Sequence, residues 1–406
     1  MDVEIRPVTA DEFEQYLRAT ERAFGYQPTA EEVASERKIF EPERSLAVFE
    51  GDRMVGTTGA FSLQLTVPGS RLPVAGVTEV GVAPTHRRRG LLTMMMRRQL
   101  DDVRDLGEAV AALWASEGAI YQRFGYGMAT YACEMEVERH LTAFARPYEW
   151  PGSVRMVEKD EALRLMPTVL DEVAEGTPGM WRRSGAFWDV QFADLERWRE
   201  GFSALFFAVY ESPQGPEGYV VYRVKHDWPG GIPKGTLKIR ELLATSTPAM
   251  AALWRACFDH DLMGKVEAWP RPLDEPLLHM LAHPRALRLR VTDGLWVRLV
   301  DVPEALASRR YAVDGSLVLE VHDTFCSWNE GRYELEGGRE GASCRRTHKE
   351  PDLVVDAADL GAAYLGGARF EHLHRAGRVV ETAPGALRRA DAMFEWDFLP
   401  FCSTVF

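Results

Sequence analysis

The amino-acid sequence predicts an α/β fold in which one strand–helix unit occurs twice and is followed by a smaller α+β region. Three observations carry this. Apolar strand patterns and helical patterns alternate through the first 145 residues, a weaker echo of the same order begins near Ser153, and the pattern changes character near Arg290.

The first unit opens with a short strand, Val3-Glu4-Ile5-Arg6-Pro7. Thr9 and Glu12 follow at the spacing of a capping box, which starts a helix running toward Phe24. A second helical stretch leads into a strand over 45–51, the turn Gly51-Asp52-Arg53, and further strands over 54–68 and 72–84. A helix begins at about Gly90, because Leu92, Met96, Leu100 and Val103 recur at helical spacing while Arg97, Arg98, Asp101 and Asp102 fall on the other side. The apolar run Val110 to Ala115 is then a buried strand.

The echo consists of a strand at Ser153 to Val157, a helix from Lys159 to Glu175, and a hairpin pair, Ala204 to Glu211 and Gly218 to Val224, with Ser212 to Gly218 as its loop. Glu241-Leu242-Leu243-Ala244 stands where Glu79-Val80-Gly81-Val82 stood, and a helix follows from Ala249. Trp228 to Gly235, rich in Pro and Gly, is a loop within this unit. Beyond Arg290 come strands at Leu295 to Val300 and Leu317 to His322, a turn at Gly337 to Gly341, and helices near Ala357 and Gly385. The expected domains are residues 1–145, 146–289 and 290–406.

A chain of 406 residues exceeds one ordinary core, and 46% hydrophobic content suffices to fill several. No apolar run approaches the ~18 residues of a membrane span, and the N-terminus lacks the pattern of a signal peptide, so a cytoplasmic protein without a membrane partner is expected. The five cysteines are scattered and show no CxxC pairing, which argues for reduced thiols rather than disulfides or a zinc knuckle. A formal charge of -13 repels nucleic acid and favours a cationic partner.

The chemistry concentrates where the strand Thr78 to Val82 runs into a basic, Gly-containing turn that opens a helix. Backbone N–H groups at such a helix start, its dipole, and the forked guanidinium groups of Arg87, Arg88 and Arg89 suit a pyrophosphate, and Gly90 lets the backbone come close to it. The second copy has Thr245-Ser246-Thr247-Pro248 in place of this turn. Arg87-Arg88-Arg89-Gly90-Leu91-Leu92 resembles the Q/R-x-x-G-x-G/A signature of the GNAT acetyltransferase superfamily, departing from it at Leu92, where a small residue is usual. The strings Val82 to Leu92, Ala115 to Tyr121, Arg123 to Gly127 and Asp293 to Trp296 are similar to those of the enhanced intracellular survival (Eis) family of N-acetyltransferases. That family joins two GNAT-like units, here with the second degenerate, to a domain similar to sterol carrier protein.

The resemblance implies acetyl-CoA as donor, with Val80, Gly81 and Val82 beside the pantetheine arm. Arg87, Arg88, Arg89, Gly90, Leu91, Leu92 and Thr93 would form the pyrophosphate turn, and Ser116 and Glu117 the neighbouring strand. It implies Tyr121 as general acid, with Tyr126 as rival, and the terminal carboxylate of Phe406 as general base; the aromatic tail Phe394, Trp396, Phe398, Phe401 and Phe406 suits an inserted chain end. It also implies a homohexamer. Two acidic positions of the family's acceptor pocket are absent: Val405 precedes the last residue, and the loop after the first helix reads Phe24-Gly25-Tyr26-Gln27. Phe24, Tyr26 and Glu79 are the candidates facing the acceptor, and Glu79 either meets the amine or pairs with an arginine. His372-Leu373-His374 has a spacing that a metal can use on a strand, but no third ligand is near, so no metal is expected. Met94-Met95-Met96 reads as core packing. No serine or cysteine occupies a nucleophile elbow, which favours direct transfer. The expected function is acetyl transfer to a primary amine of a cationic acceptor, an aminoglycoside-like molecule, a polyamine or a lysine side chain. The alternative is a non-enzymatic module responding to CoA or lipid.

Overall fold

In the computed structural model, which describes residues 3–406, strand β1 (Glu4–Pro7) leads to helix α1 (Phe13–Ala23), and the capping box of Thr9 and Glu12 fixes the turn between them. A second box, Thr29 with Glu32, starts α2 (Ala30–Glu36). Strands β2 (Leu46–Glu50), β3 (Arg53–Val67) and β4 (Ser70–Val82) form an antiparallel meander. Helix α3 (Leu91–Asp105), β5 (Val110–Trp114) and the single-turn helix α4 (Gly118–Tyr121) follow. The helical spacing read in the sequence becomes the buried face of α3: Met96, Leu100 and Val103 pack on Ala60, Ala75 and Val77 of β3 and β4, and Met95 packs on Val48 and Val55. Burying a side chain of this size stabilises by about 1.5–3 kcal/mol.

The first sheet has the order β1-β2-β3-β4-β5, then Leu295–Leu299, then Gly127–Met128. Leu295–Leu299, grouped in the sequence with the third region, is thus hydrogen-bonded antiparallel to β5, from Leu295 opposite Trp114 to Leu299 opposite Val110. In exchange, Tyr131–Glu138 joins the second sheet, between Met263–Arg271 and Arg288–Asp293. Both pairings join segments more than a hundred residues apart, which local periodicity does not report. The chain divides into two compact units, one running up to Thr130 with Gly294–Pro400 and Thr404–Phe406, the other comprising Tyr131–Asp293 with Phe401–Ser403.

The second unit repeats strand, helix, hairpin, strand and helix as Ser153–Val157, Lys159–Gly176, Phe206–Ser212 with Gly215–Lys225, Gly235–Ala244 and Thr247–Phe258. Its hairpin is tighter than the loop expected over 212–218: only residues 213 and 214 separate the strands, and a register irregularity between Pro216 and Gly218 accommodates the proline. The last region forms a five-stranded sheet with Gly315–His322 at its centre, and helices Ala357–Ala363 and Ala386–Phe394.

His372 and His374 lie on a helix, Phe370–Arg375, rather than a strand. Two residues apart on a helix point to different sides, and His374 Nδ1 lies 2.9 Å from the Val379 carbonyl. Among the described residues, no group of three or more His, Cys, Asp or Glu is placed to hold a metal, and no helix is long and apolar enough to cross a membrane. All five cysteines are free thiols, four of them buried.

Candidate active site

Strand β4 is bonded to β3 along its length, from Val67 opposite Ser70 to Gly56 opposite Val82. Its parallel ladder with β5 stops at Val77 opposite Leu113, so on that side the edge from Thr78 to Val82 is open. A register shift opposite Thr57 and Gly59 puts an extra residue into β4 here, and Glu79 takes φ +54°, a left-handed conformation that costs free energy for any residue with a Cβ. The bulge is locked from below: Thr57 Oγ1 donates to the Glu79 carbonyl at 3.0 Å, and Thr20 Oγ1 donates to Thr57 Oγ1 at 2.9 Å. An open strand edge presents N–H and C=O groups to an extended chain of amides.

Past Val82, the turn adopts left-handed conformations at Arg88 (φ +62°) and Gly90 (φ +85°). No atom lies within 4 Å of the place a Gly90 Cβ would take, so the residue is required by its backbone angle and not by crowding. Helix α3 then begins without a side-chain cap, leaving its first N–H groups directed outward. The three arginines separate: Arg87 Nη2 donates to the Ala23 carbonyl at 2.8 Å, Arg87 and Arg88 line the cleft, and Arg89 is exposed and does not.

The cleft so framed has a volume of about 580 Å³, within the usual range of small-molecule sites. Phe24, Val80, Gly81, Val82, Arg87, Arg88, Gly90, Leu91, Leu92, Thr93, Ser116, Glu117 and Tyr121 all border it. Sequence reasoning did not single out Ala23, His86, Ile120 and Arg123, which border it too. His86 carried a signal in its place inside the turn. Its ring is buried between Thr85 Oγ1 at 2.8 Å and Glu50 Oε2 at 3.2 Å. Tyr121 is 5% exposed, and burial, then the Glu117 carboxylate, pushes its hydroxyl up to about 12. The Tyr126 ring lies 6.0 Å from it but is buried behind the cleft wall and does not border the opening. The open edge, the uncapped helix start and the two arginines fit a donor that is amide-containing at one end and anionic at the other.

Glu79 faces a second, small cavity bounded by Glu36, Ile39, Phe40, Glu41, Ser45, Ala60, Phe61 and Thr78. It pairs with no arginine or lysine among the described residues. Burial raises its carboxyl to about 7, with the Tyr16 hydroxyl acting downward and the Glu36 and Glu21 carboxylates upward. The Phe406 ring packs edge-on 6.4 Å from that of Phe61 and lies over Gly76. Tyr26 is 57% exposed and borders neither cavity. Glu36 was missed in the sequence, where it reads as one more polar position on a helix.

Residues 4–129 and 179–299 each match an acetyltransferase (GNAT) domain family, and residues 302–403 match a sterol carrier protein domain family. An uncharacterized N-acetyltransferase of Streptomyces avermitilis is 43% identical over 99% of both chains. N-acetyltransferase Eis of Mycobacterium tuberculosis is 36% identical over 86% of this chain and 84% of its own length. The crystal structure of Eis1 from Mycobacterium abscessus superposes with a TM-score of 0.85 at 34% identity, covering both chains completely. A GCN5-related N-acetyltransferase from Anabaena variabilis, 20% identical, shares the fold with a TM-score of 0.87. The chain is therefore a member of the Eis family of N-acetyltransferases, within the GNAT fold that uses acetyl-CoA.

Proposed function

We propose that the protein transfers an acetyl group directly to a primary amine of a cationic acceptor, with Tyr121 as general acid and the carboxylate of Phe406 as general base. The observation that carries this reading is the position of Tyr121: it borders the same cleft as the open β4 edge and the uncapped start of α3. Acetyl-CoA supplies, when bound, an acetyl group on a thioester. The backbone of Val80 and Val82 holds its extended arm, and Arg88 with the first N–H groups of α3 holds its anionic part. The Tyr121 hydroxyl, pushed up to about 12, keeps its proton throughout the physiological range and has it ready for the departing sulfur. The Phe406 carboxylate takes the proton that the acceptor's ammonium must lose; its ring packs on Phe61, which borders the small cavity beside Glu79, and on Gly76, while Phe406 itself borders neither cavity. The net charge of -13 favours the encounter with a cation, whether an aminoglycoside-like molecule, a polyamine or a lysine side chain.

Thiol release from acetyl-CoA, measured across a panel of amines, tests the reading. Tyr121→Phe lowers kcat by about 10²- to 10⁴-fold while acetyl-CoA still binds. One residue added after Phe406 also lowers kcat. Undiminished turnover in either variant removes that group from the mechanism, and no release with any amine leaves a binding module.

A further inference from the structure

Glu79 and Glu241 stand at like positions, each three residues before the end of its strand, yet their surroundings differ. Glu241 is fully paired: Arg183 Nη1 and Nη2 donate to it at 3.0 and 2.5 Å, and Tyr219 Oη donates at 2.8 Å. Around Glu79 the charged neighbours are carboxylates. Glu36 and Glu21 act on it, and Glu36 in turn meets Glu21 and Glu32. Burial contributes most, and both Glu79 and Glu36 are pushed up to about 7.

These two carboxylates line one cavity of about 10 Å³ with Ser45 and Phe61. That volume is about what a single water-sized group occupies, and a primary ammonium is such a group. Tyr16 is wholly buried, and its hydroxyl interacts with Glu79 and Ser45 without reaching full hydrogen-bond geometry with either. It converges with the cavity wall: a Cβ on Gly59 would lie 2.9 Å from Tyr16 Oη, 3.1 Å from Glu79 Oε2 and 3.4 Å from Ser45 Oγ. Uncompensated carboxylates in a part-buried site are costly unless a cation is brought to them. The second unit has that cation in Arg183; among the described residues, neither Glu36 nor Glu79 forms an ion pair with an arginine or lysine.

We propose that this cavity is a second-ammonium subsite: one –NH₃⁺ of a diamine or polyamine lodges between Glu36 and Glu79, donating to them and to Tyr16 Oη, while another amine of the same molecule is acetylated. This rests on the reading of the chain as an amine acetyltransferase and narrows its acceptor to molecules with two primary ammonium groups. A trimethylammonium or a guanidinium exceeds the cavity. The groups facing the subsite are Tyr16 and Glu21 from α1, Glu32 and Glu36 from α2, Glu41 and Ser45 before β2, and Glu79 from β4. Because Glu36 and Glu79 lose their protons near neutrality, KM for a diamine falls as the pH rises through about 7.

The test uses the full chain with acetyl-CoA and three acceptors: diaminobutane, butylamine, and diaminobutane trimethylated on one nitrogen. Diaminobutane is expected to exceed both others in kcat/KM by about tenfold or more, the value of one charge-assisted contact. In Glu36→Gln and in Glu79→Gln the preference collapses through a raised diamine KM, and the fall of KM through neutral pH is lost. A trimethylated probe as good as diaminobutane, or a preference that survives in both variants, overturns the subsite. If no amine yields thiol, the acetyltransferase reading fails instead. Calorimetric titration of diaminobutane and the trimethylated probe into the CoA-loaded protein then tests the subsite alone, and equal affinities overturn it.

Discussion

The two GNAT units carry the same three openings, and the second closes each with its own side chains. At the helix start, α3 follows Gly90 with no side-chain cap, whereas Ser246 Oγ accepts from the Ala249 N–H at 3.3 Å and donates to Glu217 at 2.6 Å, with Pro248 removing another N–H from the first turn. At the strand edge, both parallel ladders stop early, at Val77 opposite Leu113 and at Ile239 opposite Ala268. Val80 is left open, but the Leu242 carbonyl accepts from Arg271, itself held by Glu275 at 2.8 Å. At the glutamate, Glu79 lacks a cation and Glu241 has Arg183. The difference between the two units is therefore more than the absence of three arginines from the second. Each of these groups has an internal partner in the second unit, and its counterpart in the first has no such partner among the described residues.

The largest effect comes from reopening the second unit. Arg183→Ala leaves Glu241 buried without its cation, since the two side chains are 0% and 2% exposed, and removing one member of such a pair costs about 3–5 kcal/mol. Denaturant unfolding followed by tryptophan fluorescence reports this, and pairing the change with Glu241→Gln recovers most of the loss. A loss no larger than that of an exposed ion pair would mean that Glu241 tolerates isolation, and the contrast with Glu79 would dissolve.

Closing the first unit is the next largest. Gly90→Glu forces a side chain onto φ +85° and sets a carboxylate at the uncapped start of α3. The acetyl-CoA Kd is expected to rise by about 100-fold or more, some 2.7 kcal/mol, from strain and charge together. Calorimetric titration measures it, and intact binding would separate the cofactor from this turn.

How far this was legible in the sequence depends on distance along the chain. The larger cleft was readable because strand, basic turn and helix lie within one stretch from Thr78 to Val103, and each leaves its own periodicity. The exchange that sends Leu295–Leu299 to the first sheet and Tyr131–Glu138 to the second was not, since strand pairing carries no local mark. Arg89, from the basic signature, and Tyr26, from the loop after the first helix, both face solvent, because position along the chain alone does not say which way a turn residue points. Glu36 meets Glu79 only through tertiary packing, in which Val33 of α2 sits against Phe13 and Leu17 of α1. Arg271 reads as an ordinary charged residue until its guanidinium is seen on the Leu242 carbonyl.

The smallest predicted effect reverses sign relative to Arg183→Ala, and it bears most directly on why Glu79 persists. Its carboxyl is near 4.5 when unfolded and about 7 in the folded chain. Below the lower value both states hold the proton and no free-energy difference arises. As the pH rises from 4.5 toward 7 the unfolded state ionises first, so folding is progressively disfavoured, and above 7 the full penalty remains. Glu79→Gln removes it: the shift corresponds to about 3 kcal/mol at pH 8, the buried amide keeps a desolvation cost of about 2 kcal/mol, and the variant is expected to melt higher than the natural chain by about 1 kcal/mol of stability, with the gain shrinking at pH 5. Adding diaminobutane at pH 8 raises the melting temperature of the natural chain and not that of the variant, because the diamine stabilises only a carboxylate that is there to receive it. A Glu79→Gln chain less stable at pH 8 would show that the first unit already satisfies its glutamate internally, as the second does, and would erase the difference between them.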